Sequence, residues 1–193
     1  MNYFSATARR LVAIAAGVAA GGLIVATAAF AATSSGTARA SAEEAPACTA
    51  SALGVWVAIN QGSGAAGTIY YPLEFTNLSG HTCSLFGFPG VSAIDRQGRQ
   101  LGRPANWIHM TAPHAVMLAP GATAHTMLAY HDAAVTTEPG CDPVYSAVLL
   151  RIYPPDQYSA TLAAFDFEVC SHAGPVYMTI VEPIIPGVGT VYG

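Results

Sequence analysis

The stretch GTIYYPLEFTN, residues 67–77, alternates apolar and polar side chains with a period of two. This period is typical of a β-strand that buries one face and exposes the other to solvent. Pro72 has no amide hydrogen, so its presence predicts a strand at the edge of a sheet. The predicted buried face carries Ile69, Tyr71, Leu73 and Phe75, and the predicted outer face carries Thr68, Tyr70, Glu74 and Thr76.

The same alternation continues on both sides of this strand. Further alternating segments lie at residues 53–60, 145–155, 161–169 and 175–183, and Gly- and Pro-containing turns separate the segments. No segment after residue 48 shows helical periodicity. Roughly seven to nine short strands in about 145 residues predict an all-β fold, an antiparallel β-sandwich in preference to a closed barrel.

Residues 1–47 differ from the rest of the chain in composition. Arg9 and Arg10 precede an uncharged run of 22 residues, 11–32, which small-residue A-x-A sequences follow. This order is typical of a secretory signal peptide, although the run is also long enough to span a bilayer as a retained hydrophobic helix. We therefore predict a signal peptide (or retained anchor) and flexible linker at 1–47, and a disulfide-linked β-sandwich domain at 48–193.

Charge and cysteine content narrow the function classes. The chain has 7 basic residues, all of them arginine, and 11 acidic residues, for a net charge of −4. Nucleic acid is a poor partner, because phosphate binding needs clustered positive charge. Four cysteines, an even number, in a chain with an export signal predict two disulfides and a secreted or cell-envelope location. Lipid attachment is not expected, because Cys48 lies 16 residues beyond the apolar run.

The strand pattern predicts which cysteines pair. Two hairpins are expected: residues 53–60 with 67–77, in a register that places Asn60 opposite Gly67, and residues 145–154 with 159–169. The first hairpin brings Cys48 close to Cys83, and the second brings Cys141 close to Cys170. Of the three ways to pair four cysteines, these two bonds are the ones that strand geometry favours.

Several groups of residues resemble catalytic or cofactor-binding motifs, but each lacks a feature that its motif requires. GSGAAG, residues 62–67, matches the dinucleotide glycine pattern, yet a strand rather than a helix follows it. Cys170 with His172 resembles a nucleophile with its base, but a disulfide at Cys170 removes the thiolate. Asp166 and Glu168 lie side by side on one strand and cannot flank a substrate, so a solvated face is the better interpretation. We predict no catalytic residue and no cofactor.

The histidines do not form a recognisable metal motif. All six are predicted to lie on the surface: His81, His109, His114, His125, His131 and His172. No spacing among them matches a known ligand pattern, so we predict no metal site. The alternative is a site in which His131 and Asp132 meet Glu138 and Asp142 in a loop.

One turn offers a candidate binding surface. Residues 153–158, YPPDQY, place Tyr153 and Tyr158 on either side of two prolines, and Trp107 is a further candidate for the same surface. Exposed aromatic side chains are enriched where proteins bind each other. The alternative is that these tyrosines brace a corner of the sandwich.

The motifs, taken in order, resemble the domain of unknown function 4232 family, which occurs in exported proteins of high-GC Gram-positive bacteria. The resemblance covers residues 48–187 and depends on Cys48, LEFTNLSGHTC (73–83), GFPGV (87–91), the turn at 95–98, LAPGATA (118–124), GCDP (140–143), IYPP (152–155) and Cys170. It implies an immunoglobulin-like β-sandwich outside the membrane, with cysteines that stabilise the structure. It implies no activity.

The sequence thus favours a non-catalytic, exported cell-envelope domain with an interaction or structural role. Its predicted partner is an unidentified envelope protein or polymer, and membrane contact is expected only through residues 11–32. Two alternatives stay open: a metal-binding exported domain and a cell-wall hydrolase whose site is assembled from loops.

Overall fold

The computed structural model describes residues 45–132, 144–170 and 178–190, all within the compact unit Ala42–Gly193. Thirteen β-strands account for the regular structure of these ranges, together with two short 3₁₀ turns, Ala50–Ala52 and Ile59–Gln61. The predicted all-β class is therefore confirmed. None of the described segments is a helix with the length and apolar character needed to cross a membrane. The predicted signal or anchor at 11–32 falls outside the described residues.

The strands form three sheets. Strands β1 to β7 are Leu53–Val57, Ser63–Ala65, Thr68–Asn77, Cys83–Phe86, Gly90–Ile94, Gln100–Leu101 and Asn106–Trp107. Strands β8 to β13 are Ala115–Leu118, Thr123–His131, Val144–Tyr153, Thr161–Cys170, Met178–Ile180 and Ile185–Pro186. The largest sheet has the order β1-β3-β9-β12-β7, with β2 beside β3 and β13 beside β9; the others are β11-β10-β5-β6 and β4-β8. Every strand pair is antiparallel except β7 with β12, which is parallel.

Strand β3 lies inside the largest sheet, between β1 and β9, so the prediction that Pro72 marks an edge strand is wrong. Pro72 lies opposite Met127 of β9, and on its other side its carbonyl accepts a hydrogen bond from the Ala58 amide (2.9 Å). Pro72 has no amide hydrogen to return to the Ala58 carbonyl. That carbonyl instead accepts from Gln61 in the 3₁₀ turn (2.9 Å). The proline is tolerated because the β1 ladder ends beside it.

The first predicted hairpin has a different register in the structure. Leu53 lies opposite Asn77, three positions away from the expected alignment. The first strand ends at Val57 rather than at Asn60, and the 3₁₀ turn Ile59–Gln61 follows it. Strand β2 occupies part of the expected loop, 61–66, and pairs with the start of β3. Ala66 and Gly67, both with positive φ (55° and 82°), close this tight hairpin.

The second predicted hairpin is confirmed as the β10–β11 pair. Leu149 lies opposite Ala164, and Val144 lies opposite Cys170. A bulge between Ala147 and Leu149 shifts the register by one residue. Such an irregularity bends a strand locally without changing which strands pair.

Aromatic side chains join the two larger sheets across a shared core. Tyr71 of β3 meets Phe165 of β11 edge to face, with ring centroids 5.1 Å apart, and Tyr130 of β9 meets Phe167 at 5.1 Å. The Tyr130 hydroxyl donates to the Glu168 carbonyl (2.7 Å). Leu73 and Phe75, both fully buried, extend this core along β3, as their alternation predicted.

The outer face of β3 and β9 is partly covered, which the alternation did not predict. Glu74 and His125, expected on a solvated face and on the surface, are buried. The cover is residues 187–190, which follow β13 and are hereafter called the C-terminal strap. The Gly189 amide donates to Glu74 Oε1 (2.8 Å), and His125 Nδ1 contacts the Gly187 carbonyl (2.8 Å). The surface prediction for His125 is therefore wrong.

Candidate binding surface

The disulfide between Cys48 and Cys83 is present, with the two Cα atoms 4.9 Å apart and both residues buried. Backbone hydrogen bonds hold the chain before Cys48 against β4: the Ser84 amide donates to the Pro46 carbonyl (2.8 Å), and the Cys48 amide donates to the Ser84 carbonyl (2.9 Å). The predicted pairing is confirmed. Its function here is to fix the start of the domain beside β4.

The second predicted disulfide, between Cys141 and Cys170, cannot be placed in the same way. Cys141 lies outside the described residues. The backbone of Cys170 ends β11 opposite Val144, and nothing more is described of this residue. The pairing stays a prediction.

The segment after the disulfide, residues 86–90 with sequence FGFPG, contains two phenylalanines in different environments. Phe86 is half exposed on the outer face of β4, whereas Phe88 is buried. Gly87 has a φ of +103°, a left-handed conformation that favours glycine, so the chain can turn here between an exposed and a buried phenylalanine.

Trp107 is held in one orientation on this segment. Its indole stacks on Phe88, with centroids 5.7 Å apart and an interplanar angle of 22°, and the ring of His109 meets Phe88 edge to face at 4.9 Å. The Trp107 indole nitrogen donates to the Pro89 carbonyl (2.9 Å). Even so, 46% of Trp107 remains exposed. The result is a pre-oriented aromatic surface that a ligand can contact without ordering it first.

The predicted tyrosine turn begins beside the end of the same segment. Tyr153 is the strand partner of Gly90, and a β-carbon added at Gly90 would lie 3.5 Å from the Tyr153 Cβ. The chain then turns, with a hydrogen bond from the Gln157 amide to the Pro154 carbonyl (3.0 Å) and a positive φ of 57° at Asp156. Tyr158 follows the turn and is 99% exposed.

A groove of about 580 Å³ lies beside this turn. It is lined by Ala45, Ala47, Ser84, Phe86, Pro155 and Asp156. The disulfide-held chain start and the turn therefore form its two sides. We group Phe86, Trp107, Tyr153 and Tyr158, which belong to residues 86–90, to the strands that contact them and to the turn after β10, as the aromatic surface. Sequence reasoning named the last three; it missed Phe86, although an aromatic residue on the outer alternate position of a strand is the signal that points to it.

The remaining candidate residues are dispersed. His131 is exposed, and its Nδ1 contacts the Thr68 hydroxyl (2.8 Å). Asp132 borders cavities of about 570 and 260 Å³, the smaller of which is also lined by Asp166 and Glu168. Within the described ranges, no three His, Cys, Asp or Glu side chains group in a way that would hold a metal ion. Glu138 and Asp142 lie outside those ranges.

Among the residues that the structure describes, Glu74 and Asp95 have perturbed pKa values, and neither belongs to the aromatic surface. Burial raises the pKa of Glu74 and outweighs the hydrogen bond from Gly189 and the charge of His125, which both lower it. At Asp95 burial acts in the same direction, but hydrogen bonds from Arg99 and from the Gln97 amide outweigh it and hold the pKa below its usual value. Asp95 thus anchors the β5–β6 turn, where the Arg99 guanidinium pairs with it at 2.7 Å.

The fold and surface define a disulfide-linked, all-β domain with an exposed aromatic surface. The chain belongs to the family described as domain of unknown function (DUF4232), which matches residues 48–177. The expected family is therefore confirmed. Neither a curated protein nor a solved structure matches the chain.

Proposed function

We propose that this protein is an exported, non-catalytic binding domain of the cell envelope that contacts an envelope protein or polymer through the aromatic surface. In this proposal residues 1–47 direct export, and the domain adopts the immunoglobulin-like arrangement that the family resemblance implies. The two larger sheets, packed through aromatic contacts, are compatible with that arrangement.

The observation that carries the proposal is the fixed orientation of Trp107. Its contacts with Phe88 and the Pro89 carbonyl hold the ring, while nearly half of it stays exposed. Tryptophan and tyrosine dominate the binding energy of many interfaces, where one such side chain contributes about 2 kcal/mol or more. A side chain ordered before binding loses little entropy on contact.

Export is supported by the disulfide between Cys48 and Cys83. Disulfides of this structural kind persist in oxidising compartments and are rare in the cytosol. The apolar run at 11–32 supports the same location.

The partner's charge class follows from the residues around the aromatic surface. The groove beside Phe86 contains one ionisable side chain, Asp156, and no arginine among its described lining residues. An uncharged or weakly basic partner therefore fits this surface better than a polyanion.

A binding assay with matched tryptophan variants tests the proposal. The secreted protein is incubated with a cell-wall fraction, and retention is compared for the wild type, Trp107→Ala, Tyr158→Ala and Trp56→Ala. Trp56, on β1 at the other end of the largest sheet, is 43% exposed and so matches Trp107 in residue type and exposure. We expect Trp107→Ala to weaken binding roughly 30-fold and Trp56→Ala to leave it unchanged.

Tyr158→Ala distinguishes the loss of a binding contact from a loss of folding. The side chain is almost fully exposed, so its removal should not alter folding, yet it should weaken binding. Binding that is equal in all four proteins would refute the use of the aromatic surface, as would an equal loss from Trp56→Ala.

A further inference from the structure

Glu74 is an unusual residue to find beneath the C-terminal strap. It lies in the middle of β3, is 1% exposed, and receives the Gly189 amide on Oε1 (2.8 Å). Its second oxygen, Oε2, is buried and has no hydrogen-bond partner. A buried acceptor without a partner is costly, and the cost is larger when the group is charged.

His125 and Gly189 hold the strap in close contact with this carboxyl group. His125 is the cross-strand neighbour of Glu74, and because its Nδ1 faces the Gly187 carbonyl, that nitrogen must carry a hydrogen and donate. A β-carbon at Gly189 would lie 2.6 Å from both the His125 ring and the Pro72 side chain. Only glycine therefore allows the strap to approach the sheet this closely.

The groups that face Glu74 can be named element by element. Trp56 is its neighbour on β1, His125 is its neighbour on β9, and glycine backbone covers it from the strap. Among the described residues of these elements, His125 is the one titratable side chain that faces the carboxyl group. Within the described residues, no ion pair joins Glu74 to His125.

We propose that the C-terminal strap is a pH-dependent cover: it stays closed over Glu74 while the carboxyl group is protonated and is released when that group ionises. Release uncovers Glu74 and His125 beside the exposed Trp56, so the outer face of β1, β3 and β9 changes from a covered to an open surface. This cover is separate from the aromatic surface and does not depend on the proposed binding function.

The direction of the pH effect follows from burial. Desolvation raises the pKa of Glu74 in the closed state above the ordinary glutamate value of about 4.3. The closed state is therefore fully stable below that ordinary value, and it loses stability as pH rises from there through the raised pKa. His125 opposes this shift, since a positive charge beside the carboxylate favours the ionised form.

Amide hydrogen exchange on the full secreted protein tests the cover. Protection of the Gly189 and Gly187 amides, corrected for the intrinsic effect of pH, is measured between pH 4 and pH 8, with the core residue Leu128 as the reference for global unfolding. We expect wild-type strap protection to be progressively lost across this range while Leu128 stays protected, because ionisation of the buried Glu74 carboxyl group destabilises the closed strap. In Glu74→Gln, which keeps an acceptor for Gly189 but cannot ionise, protection should stay constant within about twofold.

Two results would overturn the proposal. One is constant strap protection in the wild type. The other is an unchanged pH dependence in Glu74→Gln, which retains His125 and would assign the effect to that histidine. Should the variant fold poorly, the wild type alone decides: Gly189 protection must fall as pH rises toward the titration midpoint of the Glu74 side-chain carbon, followed by NMR, and protection that falls only above that midpoint refutes the cover.

Discussion

Replacing Cys48 and Cys83 together by alanine should destabilise the domain by a predictable amount. The bond spans 35 positions of sequence. On the chain-entropy account, closing a loop of this length lowers the entropy of the unfolded chain enough to stabilise the folded state by about 3.8 kcal/mol at 25 °C. Both sulfur atoms are buried, so their removal adds a smaller packing loss. We expect a total of about 3–5 kcal/mol.

Urea unfolding of the purified wild type and of Cys48→Ala/Cys83→Ala measures this difference. The slope against urea should rise in the variant, because its unfolded chain is more expanded and exposes more surface. For a chain of this size the melting temperature should fall by roughly 10 °C or more. The double variant is preferable to a reductant, which would also reduce the predicted bond between Cys141 and Cys170.

A difference below about 1 kcal/mol would refute the reasoning. It would mean that the hydrogen bonds of Ser84 with Pro46 and Cys48 already hold the chain start to β4 in the unfolded ensemble, so that the covalent bond removes little freedom. An unchanged urea slope would point to the same conclusion.

Three further substitutions test individual contacts. Asn77→Ala removes a buried amide that donates to the carbonyls of His81 (2.8 Å) and Leu118 (2.9 Å), and should cost about 2–4 kcal/mol by urea unfolding; a cost below about 0.5 kcal/mol would show that water replaces these bonds. Gly189→Ala places a β-carbon 2.6 Å from Pro72 and should cost about 1–3 kcal/mol, whereas the control Gly80→Ala, with nothing within 4 Å, should change stability by less than about 0.5 kcal/mol. Equal stability of the two glycine variants would contradict the close contact. Tyr130→Phe loses the hydrogen bond to the Glu168 carbonyl and should cost about 1 kcal/mol by thermal unfolding, so an unchanged melting temperature would show that this bond contributes nothing net.

The sequence predicted what depends on local alternation. Leu73 and Phe75 are buried as their spacing indicated, and Cys48 pairs with Cys83 because strand pairing brings them together even with the register three residues from the expected one. The three-residue difference in register does not change the predicted pairing, because the two cysteines flank the hairpin rather than lie within it.

The predictions that are wrong concern residues whose surroundings depend on other segments of the chain. Glu74 and His125 have the spacing of an outer face, but the residue that covers Glu74 is 115 positions away in the chain. Alternation reports which side chains share a face and carries no information on distant segments that cover it. The edge-strand prediction for Pro72 is wrong for a related reason. The missing amide hydrogen is costly only where the opposite carbonyl, here that of Ala58, has no other donor, and the Gln61 amide supplies one.

The aromatic surface was partly predictable. Tyr153 and Tyr158 were found from a turn motif, which is local, and Tyr158 is exposed as expected of a binding tip. The orientation of Trp107 was not accessible, because it depends on Phe88 and Pro89, which are 19 and 18 positions earlier in the chain.

The disulfide between Cys48 and Cys83, with the backbone hydrogen bonds beside it, also determines how a pulling force is transmitted into the domain. A pull on the chain at Ala45 first loads the hydrogen bonds between Pro46, Cys48 and Ser84 and then reaches the sulfur–sulfur bond. From there the force passes directly into β4, so the chain between the two cysteines, which contains β1, β2 and β3, carries none of it. Strand β3, which lies inside the largest sheet between β1 and β9, is thus shielded from extension for as long as that covalent bond is intact.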